Sequence, residues 1–495
     1  MRGNIRFIRK GKVVELNNVR PMDTLLDYLR LTERSCGTKE GCGEGDCGAC
    51  TVAIGRRDTD GGIAYAPINT CIQLLGQVDG TEIVTVEDLA GSDGTLHPIQ
   101  QAMVDEHGSQ CGFCTPGIIM SLFAMSHSES GETNRKMVNE WLAGNLCRCT
   151  GYRPIVAAGI SAAEEARQDK FSAASNDTRA LLDFLHDGQD VFIGSEKEFL
   201  AIPSSIDSLA ALYARHPDAT LVAGATDVGL WITKQLRVLN KIIFLNRIDG
   251  MNRVETAGQN LLIGAMATYA DTQSAVASID PDLGELWRRI GSKQVRASGT
   301  VGGNIANGSP IGDTPPALIA MGATLELRRG TTMRTVALED YFIDYGKQDR
   351  GEGEFVTGIL VPRLGPGEIF RCHKLTKRFD QDISSVMGAF RFSVDQGRIT
   401  SSRIAFGGMA AIPKRAKTAE AALLDVDLSA PRTWAAALAA IAQDFSPITD
   451  LRAGADYRLE TARVLLGKAL AEAGGAPSNR TRVVGSRELT NVPGA

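Results

Sequence analysis

The stretch GTKEGCGEGDCGAC, residues 37–50, sets Cys42, Cys47 and Cys50 at C-x4-C-x2-C spacing, and Cys71 follows after twenty intervening residues. Gly41, Gly43, Gly45 and Gly48 allow the loop to turn back on itself and bring backbone N–H groups close to inorganic sulfur. Four soft thiolates at this spacing are the signature of a plant-type [2Fe–2S] cluster. The competing reading, a four-cysteine zinc site, ordinarily uses paired C-x2-C knuckles. Gly43, Gly45 and Gly48 also satisfy G-x-G-x-x-G, but no strand leads into them and cysteines stand where a phosphate loop becomes an apolar helix, so no dinucleotide fingerprint is read here. Cys36 is left over and reads as a buried thiol acting as a small hydrophobe.

A second quartet follows. Cys111 and Cys114 lie in SQCGFCTPG, and Cys147 and Cys149 in NLCRCTGY. Thr115 and Pro116 can open a helix beside the first pair, and the second pair comes just after the helical segment RKMVNEWLAG, so helix ends can meet around one metal centre. Taken alone, C-x2-C with C-x-C is equally open to zinc. Two quartets in succession read better as an electron relay, because one cluster gives an electron nowhere further to go.

Nine of the ten cysteines lie in the first 149 residues, leaving Cys372 alone in the rest of the chain. This is the pattern of a reducing compartment with thiols confined to a specialised part, and a disulfide scaffold suits small secreted chains that lack a core. The 495 residues make room for about three domains. With 53 basic against 58 acidic residues and only 6% aromatics, no basic stripe or stacking platform for nucleic acid is present. No apolar run approaches the roughly 20 residues that span a bilayer. The N-terminus MRGNIRFIRKGKVVEL alternates without an apolar core or cleavage site, so a first strand and a cytoplasmic location are expected.

Residues 1–88 read as short alternating segments (IRFIRKGKVVEL, TVAIG, EIVTVEDL) with a helix at 24–31, a small α+β domain. Four helical segments fill 89–166, ending in PIVAAGISAAEEAR, and suggest a compact bundle. Residues 167–178 have linker composition. Between 179 and 365, β-rich runs alternate with helices over enough chain for two subdomains. From 366 to 470, VMGAFRFSV and RITSSRIAFGGM precede Ala-rich helices, again sheet plus helices. Residues 471–495 read as a disordered tail.

In the third region ATLVAGATDVGL runs from a strand into a Gly-containing turn, an arrangement that can present N–H groups to a pyrophosphate. SGTVGGNIANGSPIGD, residues 298–313, is too polar and kinked for a core element. Each alone reads equally as a surface loop, and the two together favour a phosphate-rich ligand. A flavin also suits the chemistry, since one-electron clusters and a two-electron nicotinamide couple need an intermediary that serves both.

GCGEGDCGAC, QCGFCTPG and NLCRCTGYRP together resemble the iron–sulfur half of the molybdenum hydroxylases. From residue 1 to about 470 the chain is similar to the small subunits of bacterial xanthine dehydrogenases. The resemblance implies an α+β multidomain fold: a ferredoxin-like [2Fe–2S] domain, a four-helix-type [2Fe–2S] domain, an α+β FAD-binding domain and a C-terminal α+β flavoprotein domain. It implies that Cys42, Cys47, Cys50 and Cys71 ligate the cluster nearer the flavin. Cys111, Cys114, Cys147 and Cys149 then ligate the one nearer a molybdenum-molybdopterin cofactor held by a large partner chain, with Gln110 hydrogen-bonding the pterin. Two small and two large chains are expected to form a heterotetramer, with no nucleic-acid or membrane partner. For FAD the implied contacts are Leu221, Val222, Ala223, Gly224, Ala225, Thr226, Asp227 and Val228, with Asp227 where relatives often carry Glu. Thr300, Gly302, Gly303, Asn304 and Ile305 match the diphosphate and ribityl segment, continued by Ser309, Ile311 and Asp313. Lys374, a solvated charge by its own sequence context, matches a lysine near the flavin. Tyr345-Gly346 departs from the Tyr-Arg of many relatives, on the nicotinamide side. The implied activity is electron transfer within a xanthine dehydrogenase, from purine hydroxylation on the partner through both clusters and FAD to NAD. The same relay in an aldehyde or N-heterocycle dehydrogenase is the alternative.

Overall fold

The computed structural model describes residues 1–58 and 61–477. They fall into two units, one made of Met1–Asp249 with Gly291–Gly299, the other of Gly250–Ile290 with the chain from Thr300 onward.

The first unit opens in a hairpin, Ile5–Arg9 against Lys12–Leu16, with Lys10 and Gly11 both left-handed at the tip, the turn whose twist matches the strands. It is part of a five-stranded sheet ordered Lys12–Leu16, Ile5–Arg9, Glu82–Val84, Thr51–Arg57, Ile63–Asn69, in which only the second and third strands pair in parallel. The segment EIVTVEDL is not one element. Its strand stops at Val84, and Thr85 starts a short helix, Val86–Leu89, by donating its N–H and hydroxyl to Asp88 at 2.7 and 3.0 Å. The helix expected at 24–31 is Leu25–Asp27 continued by a wider turn over Tyr28–Thr32.

Four helices follow, Pro98–Asp105, Thr115–Ser128, Arg135–Leu142 and Arg153–Ala166. Thr115–Ser128 is buried from Gly117 to Ser126, as an apolar helix at the centre of a bundle must be. Residues 167–178 are not extended chain, for Lys170–Ala173 and Ser175–Leu185 are helical. Asp169 anchors them: its carboxylate accepts from Nε2 of His97 and of His127 at 3.0 Å each and from the N–H groups of Phe171 and Ser172 at 2.9 Å. Phe171 then packs edge-on against Phe123 and Tyr65.

The first unit closes with a four-stranded sheet ordered Val191–Gly194, Phe199–Ile202, Lys241–Phe244, Thr220–Val222. Phe7, Ile54, Leu74 and Val78 of the N-terminal domain share one apolar core with Leu200, Val222, Ile242 and Phe244 of this sheet. Asp79 is fully buried beside that core and paired by Arg2 at 2.8 Å and Arg247 at 2.6 Å, the partnering a buried carboxylate requires.

The second unit holds an antiparallel sheet ordered Val254–Ala257, Asn260–Gly264, Phe355–Pro362, Thr324–Arg329, Thr332–Ala337. The polar glycine-rich stretch that reads as a loop is in part a helix, Val301–Asn307, with Val301, Gly302 and Ile305 buried. Its glycines mark contact rather than exposure: a Cβ on Gly302 would lie 2.5 Å from the carbonyl oxygen of Ala265. A second antiparallel sheet, ordered Glu368–Leu375, Val386–Asp395, Arg398–Gly407, Lys414–Arg415, packs on helices Lys417–Ala422, Ala435–Asp444 and Ala455–Ala473 through Phe390, Phe406, Trp434 and Leu466. The last helix runs past residue 470, where the sequence reading begins a disordered tail, and residues 478–495 of that tail lie outside the described residues. Among the described residues no helix is long and apolar enough to cross a membrane.

Candidate electron-transfer centres

The first quartet sits on the loop that enters strand Thr51–Arg57 and on the turn after Ile63–Asn69. Gly43, Gly45 and Gly48 are all left-handed, and the coiled backbone aims the N–H groups of Glu44, Asp46 and Cys47 at Cys42 Sγ, each at 3.4 Å. Cys50 and Cys71, almost wholly buried, bring their sulfur atoms to 3.4 Å. Asn69 and Thr70 brace the loop by donating to the carbonyls of Gly45 at 2.7 Å and Cys50 at 2.8 Å. Hydrogen bonds from Cys47 and Cys71 hold Cys42 far below the usual thiol range, and the same bonds push Cys47 and Cys71 up. Cys50 is lowered in turn by Cys71. Four thiols sharing protons under converging N–H donors suit a group that takes all four as thiolates, which is the donor set of a [2Fe–2S] cluster. Among the described residues no three His, Cys, Asp or Glu side chains gather as the ligands of one metal ion. Cys36, read as buried, is exposed.

In the second quartet Cys114 precedes helix Thr115–Ser128, with Pro116 in its first turn as the sequence suggests, and Cys147 and Cys149 lie between helices Arg135–Leu142 and Arg153–Ala166. The four form two couples. Cys111 is lowered by the N–H of Phe113 and by Cys149, which is raised in exchange. Burial and then Cys147 push Cys114 up to about 12. Burial opposes ionisation of Cys147 as well, but hydrogen bonds from Thr150 outweigh it and leave it lowered. The hydroxyl of Tyr152, which stands left-handed at the start of the last helix, accepts from the Cys147 N–H at 2.7 Å. Cys111 and Cys149 are exposed, and so is Gln110.

The two quartets share a backbone seam. Leu146 N–H donates to the Cys47 carbonyl at 2.9 Å, and Asn145 Nδ2 to that of Gly48 at 3.3 Å. A Cβ on Gly48 would stand 2.1 Å from the Gly144 oxygen, so the loops can meet only with glycine there. Gln294 braces the seam from helix Lys293–Ser298: its Nε2 reaches Thr51 Oγ1 at 3.1 Å, Ser121 Oγ at 3.2 Å and Asn145 Oδ1 at 3.1 Å, and all four residues are buried. Sequence reasoning singles out none of Ser121, Asn145, Tyr152 and Gln294. Asn145 and Tyr152 carry a signal, their places at the two ends of the motif NLCRCTGY.

The segment Leu221–Val228 leaves strand Thr220–Val222, turns, and enters helix Val228–Thr233. Ala225 is left-handed at φ +57°, strain that a residue with a side chain bears where the backbone path is prescribed. The Ala223 carbonyl accepts from Gln77 Nε2 at 2.8 Å, and Asp227 accepts from Trp231 Nε1 at 2.9 Å. Gly224 lies against the Ser298 carbonyl, where a Cβ would come to 1.9 Å.

In the second unit Thr300 caps its helix by accepting from Gly303 N–H at 2.9 Å, Asn304 accepts from Thr314 at 3.1 Å, and Ser309 from the N–H of Ile311 at 3.4 Å. Lys374 is not the solvated charge its context suggests. It is buried, donating to Asp313 at 2.7 Å and to the Arg289 carbonyl at 3.0 Å, while Ser384 holds the other Asp313 oxygen at 2.5 Å. Tyr345 is exposed and Gly346 left-handed at the tip of the small hairpin Phe342–Asp344/Lys347–Gln348, so the departure at 346 answers a turn.

Four family models match the chain in succession: a 2Fe-2S iron-sulfur cluster binding domain over residues 7–72, a [2Fe-2S] binding domain over 85–159, an FAD binding domain in molybdopterin dehydrogenase over 196–364, and a CO dehydrogenase flavoprotein C-terminal domain over 371–473. A solved structure of carbon monoxide dehydrogenase from Hydrogenophaga pseudoflava, lacking the Mo-pyranopterin moiety of the molybdenum cofactor, is 30% identical at a TM-score of 0.52. The match covers 99% of that chain and 58% of this one. The chain belongs to the molybdenum hydroxylase family. It carries the family's two [2Fe–2S]-binding domains, ferredoxin-like and four-helix, its α+β FAD-binding domain and its C-terminal flavoprotein domain. Among curated molybdenum hydroxylases, the xanthine dehydrogenase of Emericella nidulans is 31% identical over 89% of this chain and 36% of its own length. The xanthine dehydrogenase/oxidase of Mus musculus is 32% identical over 82% and 34%. The chain thus spans about a third of the length of these curated relatives.

Proposed function

We propose that this chain is the electron-transfer component of a molybdenum hydroxylase whose molybdenum-molybdopterin cofactor sits on a separate large chain. In this reading Cys111, Cys114, Cys147 and Cys149 form the entry centre, Cys42, Cys47, Cys50 and Cys71 the next, and FAD the exit toward NAD. When bound, the clusters carry single electrons and FAD exchanges one electron with them and two with a nicotinamide, chemistry the side chains themselves lack. The observation that carries the order is the difference in burial. Cys50 and Cys71 are buried, whereas Cys111 and Cys149 open on a surface with Gln110, Phe113 at 45% exposure and Leu146 at 61%, an apolar rim suited to a covering partner. Gln110 would hydrogen-bond the pterin held by the partner chain. The contacts proposed for FAD are, within the first unit, Leu221–Val228 with its left-handed Ala225, and, within the second, Thr300, Gly302, Gly303, Asn304, Ile305, Ser309, Ile311 and Asp313, whose carboxylate Lys374 and Ser384 fix.

The curated relatives named as xanthine dehydrogenases favour a purine substrate, and the carbon monoxide dehydrogenase likeness favours the broader reading, the same relay serving another substrate. Two small and two large chains in the cytoplasm complete the reading. Metal and flavin analysis tests the relay: about four iron, four acid-labile sulfide and one FAD per chain are expected. Stoichiometric zinc, or about eight irons, would sink it. Assaying the copurified large chain against xanthine, an aldehyde and an N-heterocycle separates the substrates.

A further inference from the structure

We propose that Lys234 sets the reduction potential of the centre at Cys42, Cys47, Cys50 and Cys71, acting as a positioning residue delivered by the helix that follows the Leu221–Val228 turn. The inference rests on the reading of that quartet as a [2Fe–2S] site.

Helix Val228–Thr233 lies directly on the ligand loops. At Gly229 a Cβ would fall 2.7 Å from Ile72 Cβ and 2.9 Å from the Ile72 carbonyl oxygen, so the helix backbone rests on the residue after Cys71. Leu230 packs into the small apolar cluster of Leu26, Cys50, Cys71 and Ile72. One turn on, the Lys234 N–H bonds back to the Leu230 carbonyl at 2.9 Å, and its Nζ donates to the carbonyl of Cys42 itself. Glu44 Oε2 stands 3.6 Å from Nζ, and Glu44 also presents its N–H to Cys42 Sγ at 3.4 Å. Glu40, its carboxylate 3.0 Å from where a Gly43 Cβ would be, Asp46 and Lys39 are the further charges on this loop.

Reducing a thiolate-bound cluster adds one negative charge to a centre already anionic. A cation fixed against a ligand's own backbone favours that step, and a carboxylate beside it opposes it. Both groups are about two-fifths exposed, so water and salt weaken but do not abolish the effect.

The test is an EPR-monitored redox titration of the full chain as purified, with the two cluster signals assigned by the one that Cys147→Ser removes. Lys234→Gln is expected to make reduction of the first-quartet centre about tenfold less favourable, a downward shift of about 59 mV for a one-electron couple, with the other signal unmoved. Lys234→Arg is expected to retain the native potential within about threefold, and Glu44→Gln to shift it upward. Unchanged potentials in a Lys234→Gln protein that keeps both clusters would overturn the proposal, as would equal shifts of both centres or Arg behaving like Gln. Should Lys234→Gln lose the cluster, Glu44→Gln decides: an upward shift confined to this signal upholds the proposal and no shift refutes it. Absence of two [2Fe–2S] signals in the unmodified chain would instead refute the reading of the quartets.

Discussion

Replacing Gly48 by alanine strikes the seam between the two cysteine quartets, and its cost can be worked from two separable parts. At φ +69° an L side chain costs about 1–2 kcal/mol. The added methyl would also stand 2.1 Å from the Gly144 oxygen and 2.7 Å from Asn145 Nδ2. The oxygen belongs to backbone and cannot swing aside, so relief requires parting the loops and giving up the Leu146 to Cys47 and Asn145 to Gly48 hydrogen bonds, an overpacking cost of about 1–3 kcal/mol. Gly11 supplies the control, having the same φ of +69° and nothing within 4 Å of its hypothetical Cβ, so Gly11→Ala carries the first part alone. Thermal unfolding by circular dichroism should lower the first transition by about 2–4 °C per kcal/mol at this size, making Gly48→Ala worse than Gly11→Ala by roughly 2–12 °C. Iron content should fall only in the Gly48 variant. Equal melting temperatures with full iron in both would show that the close approach of the loops does not constrain the fold.

Cys147→Ser exchanges a soft ligand for a hard one at the proposed entry centre; in the assembled enzyme, stopped-flow absorbance near 450 nm should show NADH still reducing FAD while turnover from the molybdenum side is mostly lost, and equal loss of both would contradict the proposed order. Asp169 is desolvated by burial, yet its bonds from His127 and His97 hold it well below the usual carboxylate range. A depressed folded value means its stabilisation is complete above about pH 4 and is lost as pH falls further, so Asp169→Asn should flatten the acid limb of a denaturant-stability profile and cost about 1–3 kcal/mol at pH 7; an unchanged acid limb refutes this. Lys374→Met strands the buried Asp313 carboxylate, a loss of about 3–5 kcal/mol in the second unit. Flavin-to-protein ratio should drop with it, and a stable, flavin-replete variant would remove Lys374 from the site.

What the sequence reveals here is chemistry that is local along the chain. Cysteine spacing points to both proposed quartets because the ligands of one centre must be brought together by tight turns, and the apolar run of Thr115–Ser128 announces a central helix. What it hides depends on residues far apart. A lysine on a strand looks solvated, and only folding brings Asp313 to Lys374. The glycines of 302–308 read as loop because local propensity cannot register that Gly302 is pressed on Ala265. Nothing near Gln294 hints that it serves Thr51, Ser121 and Asn145, and a helical connector at 167–178 is written in Asp169 only once two distant histidines are known to reach it.

The placement of Gly291–Gly299 in the first unit bears on how the protein is made. Thr51, Ser121 and Asn145 are complete well before the ribosome adds Gln294, and at about 5–20 residues per second the interval is on the order of ten seconds. Through that time the two N-terminal domains carry an unclosed seam of buried-type polar groups, and for its earlier part an apolar face still awaiting Leu200, Val222 and Phe244. Until Gln294 is added, the loops that carry both quartets lack this brace. A gene fragment ending at residue 166 lacks Gln294 and the face of Leu200, Val222 and Phe244, so its seam and its apolar face both stay open.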